Sequence, residues 1–414
     1  MKSLHSFKGV IDTTFRDGQQ SPLMFDTHKY RFLLEDKKIL AKGLIELGVD
    51  KFEFFSPVVS EVEREDFKKL SKYMKSIRPD IMLLAHCRCH PSDIREAINA
   101  GFDGLNFYIG IAEHSQKFSH GMDAKTIGKN VSTLLSDVHK KHPNLYLRFS
   151  AEDCFRTSLE DIFEIYDLVA PFVQTFGMPD TVGIANPEMV RERVLALKKR
   201  YPNLDIECHF HNDRGYSLVN AISGIQSGAS YVDTTIWGMA ERSGITSVTG
   251  LLFNLFHESR ESCEKFNLKL CYPINVLMGS ILKFQVPTSE PISLTNRTHT
   301  AGVHQKAVLK SNSVYEGVDL AQFGVSSKQL LLGPLSGWNL IYYYLREVKF
   351  YDVTHDLAKV IARDFKQKIS KIGNVYSPEN LLEDIMKSYK AKKLPVEGEI
   401  LTARFEHLVE SINH

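Results

Sequence analysis

The sequence predicts an α/β fold, a TIM (β/α)8 barrel followed by a C-terminal, mostly helical extension. Eight short apolar runs recur with helical stretches between them, at 9–14, 51–55, 81–86, 104–109, 145–150, 172–176, 204–210 and 230–235. Nearly every run ends in polar or charged residues, as strands do where a barrel carries its chemistry. After about residue 285 the alternation stops. Eight βα units and one tail are therefore expected.

The segments between the runs carry helical spacing of their apolar residues. The clearest is 37–48, which ends on Gly48, a residue suited to a helix C-terminus. A chain of 414 residues exceeds one simple domain. Pro287, Pro291 and the Ser/Thr-rich sequence around them are typical of a linker. We expect a catalytic barrel at 1–285 and a linker with a helical subdomain at 286–414.

Composition excludes several classes of partner. With 51 basic and 50 acidic residues the net charge is +1, and no block of like charges predicts binding to nucleic acid or to an anionic membrane. No apolar run approaches the roughly 20 residues that cross a bilayer. Six scattered cysteines do not form a disulfide framework, and the first residues lack the pattern of a secretion signal. A small-molecule partner and a cytoplasmic location are expected.

A divalent-metal site is predicted from residues remote in sequence. His209 and His211 lie two positions apart in an extended run, so their imidazoles point to one side. Asp17 follows the first run and can meet them across the mouth of a closed barrel. Two histidines and one carboxylate leave positions on a metal open for substrate and water. These ligands suit Mg²⁺, Mn²⁺, Zn²⁺ or Co²⁺; the alternative is an ordinary half-buried strand.

Two polar residues flank the predicted metal carboxylate. Arg16 offers a forked cation where negative charge develops on an oxygen, as an enolate or alkoxide requires. Its alternative role is a salt bridge at the strand end. Gln20 can donate or accept a hydrogen bond from the same turn, or it can be a solvated loop residue.

The third run ends in the sequence His-Cys-Arg-Cys-His at 86–90, which resembles a zinc cluster at first sight. Strand alternation places His86 and Arg88 on one face and Cys87 and Cys89 on the other, which disfavours a Cys₂His₂ site. An inward His86 that hydrogen-bonds a substrate is the preferred interpretation.

Arg148, Ser150 and Glu152 share one face of the fifth run. Together they offer a cation and a hydroxyl to a substrate carboxylate, with an acid for orientation. A simple internal ion pair is the alternative.

Two motifs are similar to those of a known family. The segment 13–20, Thr-Thr-Phe-Arg-Asp-Gly-Gln-Gln, and the segment 209–213, His-Phe-His-Asn-Asp, resemble the first-strand and metal-binding motifs of the metal-dependent TIM-barrel enzymes that join acetyl-CoA to 2-oxo acids. That family includes isopropylmalate, citramalate and homocitrate synthases and is related to the hydroxymethylglutaryl-CoA lyases. The segments 56–61, 85–90, 118–121, 148–153 and 337–339 are similar to those of the homocitrate synthase branch.

The resemblance implies a role for each matching residue. Asp17, His209 and His211 would bind the metal, and Arg16 would stabilise the reacting oxygens. The implied contacts of the 2-oxo acid are Gln20, His86, Arg148, Ser150, Glu152 and Thr181, with Arg148 on the distal carboxylate. The segment 301–306 resembles one that delivers a catalytic histidine, here His304, into the partner subunit of a homodimer. Tyr315 and the acid Glu207 would assist it.

Three positions depart from the homocitrate synthase pattern. Asp17 stands where glutamate is common, which leaves the metal site intact and weakens the assignment of the 2-oxo acid. Asn106 replaces an acid that contacts the inhibitor lysine in lysine-making relatives, so lysine inhibition is not expected. Met178 and Pro179 stand where Ile-Ala is usual.

The implied reaction is a Claisen condensation of acetyl-CoA with a 2-oxo acid, for which 2-oxoglutarate is preferred, followed by release of CoA. Isopropylmalate, citramalate or Re-type citrate synthesis on the same scaffold remains an alternative. A hydroxymethylglutaryl-CoA lyase and a catalytically silent binding protein are further alternatives, both disfavoured by the set of candidate residues.

Overall fold

The computed structural model describes residue 4 and residues 6–372, 377–389 and 392–393. Two compact units follow one another along the chain, Met1–Ile292 and Ser293–His414. The division falls close to the composition change seen in the sequence, within the segment that carries Pro287 and Pro291.

The first unit is a closed barrel of eight parallel strands in sequential order, in which β1 also pairs with β8. This confirms the predicted TIM barrel. The strands are β1 Gly9–Asp12, β2 Lys51–Phe55, β3 Met82–Arg88, β4 Gly104–Gly110, β5 Tyr146–Glu152, β6 Thr175–Asp180, β7 Asp205–Phe210 and β8 Tyr231–Thr234.

The helices of the first unit cover the barrel. They are α1 Pro22–Asp26, α2 Leu34–Leu47, α3 Glu61–Ile77, α4 Pro91–Ala100, α5 Glu113–Ser115, α6 Ala124–Lys141, α7 Leu159–Val169, α8 Pro187–Arg200, α9 Ser217–Gln226, α10 Val248–Glu258 and α11 Cys271–Leu282. Side-chain caps fix several starts: the Ser60 side chain accepts from the Glu63 amide at the start of α3. Gly48 ends α2 with φ of 114°, which favours glycine, as predicted.

Most strands differ from their predicted bounds by one or two residues, and the differences at β1 and β6 affect the position of predicted site residues. β1 ends at Asp12, so Arg16 and Asp17 lie beyond it, at the start of a 3-10 turn at Asp17–Gln20. β6 begins at Thr175 rather than 172, because Ala170–Phe172 forms a 3-10 turn around Pro171. Proline has no amide hydrogen for a strand ladder. The shift brings Asp180 to the end of β6 and Thr181 directly after it.

The second unit is mostly helical, as predicted. It contains β9 Thr298–His299, β10 Gln329–Leu330, α12 Gly302–Val308, α13 Trp338–Tyr343, α14 His355–Ile369 and α15 Pro378–Ser388. Its core is formed by apolar side chains of α13, α14 and α15, including Ile341, Phe365 and Leu382. Among the described residues, no helix is both long enough and apolar enough to cross a membrane.

Candidate active site

A cavity of about 560 Å³ opens among the residues at the C-terminal ends of the barrel strands. That volume lies in the range of small-molecule sites. Eleven of the residues predicted from sequence line it: Arg16, Asp17, Gln20, His86, Arg148, Ser150, Glu152, Thr181, Glu207, His209 and His211. The barrel thus gathers side chains from β2 to β8 and from the turn after β1.

Asp17, His209 and His211 converge at this cavity. One ligand atom from each lies within 4.8 Å of the other two, and all three side chains are buried. The two imidazole rings are 5.1 Å apart, and His209 Nε2 lies 3.4 Å from Asp17 Oδ2. The predicted meeting of the first and seventh strand segments is therefore present.

The donor atoms fit a divalent cation. Asp17 Oδ2 and His211 Nδ1 are buried and accept or donate no hydrogen bond within the described residues. His209 Nδ1 lies 3.1 Å from Asp233 Oδ2, a contact that orients the ring so that Nε2 faces Asp17. Burial, followed by the neighbouring His209, lowers the pKa of His211 to about 3, so its imidazole is neutral at pH 7. Two of the three side chains thus present a buried atom without a hydrogen-bond partner among the described residues, as a metal ligand would.

Arg16 forms an ion pair beside these ligands. Its Nε and Nη2 donate to Glu53 Oε1 at 3.1 and 2.8 Å, and Nη1 lies 3.3 Å from Asp17 Oδ2. The salt bridge considered from the sequence is thus present, and its partner is Glu53 of β2. The guanidinium still lines the cavity.

Arg148 is not the free cation that the sequence predicted for a substrate carboxylate. Its terminal nitrogens lie 2.9 Å from Glu53 Oε2, 3.1 Å from Asp233 Oδ1 and 3.5 Å from Glu207 Oε2, and the side chain is 2% exposed. The internal ion pair, the alternative interpretation, describes it. β5 places Arg148 at the floor of the cavity, where three strands bring carboxylates around it.

The three carboxyl groups around Arg148 differ in their pKa. Burial raises the pKa of Glu53, but Arg148 and Arg16 outweigh burial and hold that pKa well below its usual value. For Asp233, Arg148 and the hydrogen bond with His209 likewise outweigh burial and lower the pKa. Burial dominates at Glu207 and raises its pKa well above the usual value, despite Arg148. Of the three carboxyl groups, Glu207 is therefore the one that keeps a proton to the highest pH.

His86 and Ser150 meet at Asn106. Asn106 Nδ2 lies 2.6 Å from Glu53 Oε2 and 3.1 Å from His86 Nδ1, and Ser150 Oγ donates to Asn106 Oδ1 at 3.2 Å. The His86 ring also stacks on Tyr108 with centroids 4.1 Å apart. Neighbouring strands β3, β4 and β5 thus hold one polar face.

The remaining predicted contacts lie at the rim. Gln20 is exposed, and Thr181 Oγ1 accepts a hydrogen bond from the Asp153 amide at 2.9 Å. Burial, with Asp153 nearby, raises the pKa of Glu152.

His304 and Tyr315 both belong to the second unit. Their rings stack with centroids 3.9 Å apart, and both side chains are exposed. A buried ion pair joins residues on either side of them in the chain, with Arg297 Nη2 2.8 Å from Glu316 Oε2. The predicted base and its tyrosine are thus neighbours.

Sequence reasoning missed Glu53 and Asp233. Each is a carboxylate within an apolar strand, as in the β2 sequence Lys-Phe-Glu-Phe-Phe, and each is buried. A single acid at an inward position of a barrel strand is the signal that identifies such residues, because a buried charge requires a partner.

Comparison with known proteins agrees with this geometry. Residues 9–272 match the family model described as HMGL-like, and residues 294–372 match the model of the homocitrate synthase post-HMGL domain-like region. A mitochondrial homocitrate synthase of Yarrowia lipolytica is 35% identical over 89% of this chain and 79% of its own length. The cytosolic homocitrate synthase isozyme of Saccharomyces cerevisiae is 33% identical over 95% of this chain and 88% of its own length.

Two further relatives mark the breadth of the group. A putative 2-isopropylmalate synthase of Buchnera aphidicola is 30% identical over 93% of this chain and 98% of its own. The structure of a hydroxymethylglutaryl-CoA lyase from Pseudomonas aeruginosa shares the fold, with a TM-score of 0.55 at 16% identity over 68% of this chain and 94% of that chain. The chain belongs to the HMGL-like family of enzymes and is a homologue of the homocitrate synthases.

Proposed function

We propose that this protein condenses acetyl-CoA with a 2-oxo acid, 2-oxoglutarate, and releases CoA. The observation that carries the proposal is the meeting of Asp17, His209 and His211, with a buried carboxylate oxygen and a ring nitrogen that lack hydrogen-bond partners in the described part of the chain. The homology to homocitrate synthases over most of the chain supports the same reaction.

The three ligands would hold a divalent cation, Mg²⁺, Mn²⁺, Zn²⁺ or Co²⁺, which supplies Lewis acidity toward the 2-oxo group when bound. Arg16 places its guanidinium beside Asp17, where it stabilises negative charge on a reacting oxygen. Gln20, His86, Ser150 and Thr181 supply neutral hydrogen-bonding groups around the cavity, with Glu152 at its edge. Since Arg148 is paired with internal carboxylates, we assign it to holding the floor of the site.

A base must remove a proton from the acetyl methyl group so that the new carbon–carbon bond can form. We assign this step to His304, with Tyr315 stacked against it, acting in the barrel of the partner subunit of a homodimer. Glu207, whose pKa is raised by burial, is the acid of the site. Water then cleaves the thioester, and the sulfur leaves as CoA.

The relative named as a 2-isopropylmalate synthase favours a second candidate, condensation with a branched 2-oxo acid on the same scaffold. The two candidates differ at the far end of the substrate, which is charged in 2-oxoglutarate and apolar in the branched acid. We place the reaction in the cytoplasm, in keeping with six free cysteines.

The test is release of CoA, followed with a thiol reagent, from the purified protein with acetyl-CoA, Mg²⁺ or Mn²⁺ and a panel of 2-oxo acids. We expect turnover to be fastest with 2-oxoglutarate. Preference for 2-oxoisovalerate, pyruvate or oxaloacetate would replace the substrate assignment. Cleavage of hydroxymethylglutaryl-CoA without condensation would replace the reaction class.

A further inference from the structure

We propose that Asn106 sets the tautomer of His86, so that His86 carries its proton on Nε2 and offers a donor to a ligand in the cavity. Asn106 is thereby a positioning residue that determines whether this wall of the site donates or accepts a hydrogen bond. The inference about the ring rests on protein contacts alone; the identity of the ligand rests on the proposed function.

Glu53 fixes the orientation of the Asn106 amide. Glu53 is ionised, because Arg148 and Arg16 outweigh burial and lower its pKa, so its oxygens only accept. The atom of Asn106 that lies 2.6 Å from Glu53 Oε2 must therefore be the NH₂ group. The amide oxygen then faces Ser150 Oγ at 3.2 Å and accepts its proton. The carboxylate fixes the amide in one of its two orientations.

The oriented amide in turn determines which nitrogen of the His86 ring carries the proton. The same NH₂ group lies 3.1 Å from His86 Nδ1, so a proton on Nδ1 would set two donors against each other. Glu53 Oε1 lies farther from Nδ1, at 3.3 Å, and already accepts from Arg16 Nε and Nη2, so it is the weaker partner of Nδ1 while the amide is present. Burial and then Arg16 lower the pKa of His86, which keeps the ring neutral. A neutral ring that accepts at Nδ1 bears its proton on Nε2.

The tautomer of His86 determines which hydrogen-bond donor the cavity offers to a ligand. His86 lines the cavity with its side chain 23% exposed, and stacking on Tyr108 fixes the plane of the ring. Arg148 is engaged by internal carboxylates, and Ser150 gives its proton to Asn106. Of these groups, His86 Nε2–H is the donor left for an anionic oxygen. On the proposed function, that oxygen belongs to a carboxylate of the 2-oxo acid.

Two substitutions should reverse the tautomer by different means. Asn106→Leu removes the amide donor and leaves Nδ1 facing Glu53 Oε1, an acceptor, so the proton moves to Nδ1. Asn106→Asp places an acceptor where the NH₂ group stood and has the same effect. Asn203→Asp, at an exposed position on a turn, is the matched control and should leave the ring unchanged.

The tautomer is read by ¹⁵N NMR of histidine-labelled protein prepared with Mg²⁺ and no substrate, with the His86 signals identified by their loss in His86→Gln. We expect an unprotonated Nδ1 and a protonated Nε2 in the wild type and in Asn203→Asp, and the reverse in both Asn106 variants. A protonated Nδ1 in the wild type, or folded Asn106 variants that keep the wild-type tautomer, would overturn the proposal.

Steady-state kinetics tests the donor role separately. Loss of a hydrogen bond to a charged ligand should raise the KM for 2-oxoglutarate about 10- to 100-fold in both Asn106 variants. The KM for acetyl-CoA and the kcat should change by less than about threefold, because the reacting groups are untouched. An unchanged KM with a reversed tautomer refutes the donor role. Absence of turnover in the wild type refutes the proposed function and leaves the tautomer result standing.

Discussion

The two ends of the barrel are built from the same strands but give their polar and charged groups different partners. At the C-terminal end, Asp17 Oδ2, Glu207 Oε1 and His211 Nδ1 are buried without hydrogen-bond partners among the described residues. At the N-terminal end, the Lys51 ammonium lies 4.4 Å from the Tyr146 ring centroid and 3.9 Å from that of Tyr231. The C-terminal end thus leaves atoms of candidate metal ligands without partners, whereas the N-terminal end stacks the Lys51 cation on aromatic faces.

The difference separates binding from stability. An unsatisfied buried polar atom costs about 1–3 kcal/mol, which a folded protein tolerates where a ligand supplies the missing contact. The N-terminal end also packs Ile11 and Leu84 beneath the tyrosines and needs no ligand. Substitutions at the C-terminal end should therefore change metal binding and turnover, and those at the N-terminal end should change stability alone.

The largest effect is expected at the three proposed metal ligands. His209→Ala should lower turnover by at least about 1,000-fold and abolish tight Mn²⁺ binding measured by calorimetry, because it removes one of three protein ligands. His257→Ala, an exposed histidine on α10, is the control and should match the wild type. Normal Mn²⁺ affinity in His209→Ala would remove this residue from the site.

A second test asks whether the C-terminal end is complete within one chain. His304→Ala should keep Mn²⁺ binding and lower turnover about 100- to 10,000-fold, through loss of the base. Exchange of the acetyl-CoA methyl protons with deuterated water should fall in parallel. Tyr315→Phe is a companion variant, because Tyr315 stacks on His304. Its control is Tyr343→Phe, at an exposed tyrosine on α13.

Mixing His209→Ala with His304→Ala tests the shared site directly. If each barrel uses the partner subunit's histidine, heterodimers hold one intact site, and about a quarter of the wild-type activity should return after subunit exchange. Mixtures that stay inactive despite exchange would contradict a site shared between subunits.

The buried ion pairs of Glu53 with Arg16 and Arg148 should contribute to stability, although they lie at the C-terminal end of the barrel. Glu53→Leu leaves Arg16 and Arg148 short of a carboxylate, and we expect a loss of about 3–5 kcal/mol in the free energy of unfolding measured in urea. Glu65→Gln, an exposed site on α3, should change it by less than about 0.5 kcal/mol. Equal stability of both variants would show that the guanidiniums find other partners.

The sequence predicted the architecture and the convergence of Asp17, His209 and His211, because both depend on strand order and alternation, which are local properties of the sequence. The role of Arg148 was not predictable in this way. Its partners Glu53, Glu207 and Asp233 come from β2, β7 and β8, and only the register of the closed barrel brings them to β5. The sequence shows a cation facing inward, whereas its freedom to bind a substrate depends on those distant partners.

The start of β6 was misplaced for a related reason. Phe172 and Val173 are apolar and β-favouring, which predicts the start of a strand there, but the turn around Pro171 delays pairing until Thr175. The helix that ends at Gly48 was predicted well, since its stop signal is carried by one residue.

The smallest expected effect lies at the N-terminal end and depends on pH. Burial lowers the pKa of Lys51 from 10.5 to about 8. Below pH 8 the side chain is charged in the folded and unfolded states, and the folded state bears the cost of burying it. Between about pH 8 and 10.5 the folded lysine is neutral while the unfolded one still binds a proton, so stability rises with pH.

Relative to Lys51→Met, the wild type should therefore gain about 1–3 kcal/mol across this range in urea unfolding, the ring contacts offsetting part of the burial cost. Lys51→Arg keeps its charge throughout and should show no such gain, with turnover unchanged in both variants. Parallel stability curves for Lys51→Met and the wild type would mean that the tyrosine rings hold the ammonium charged.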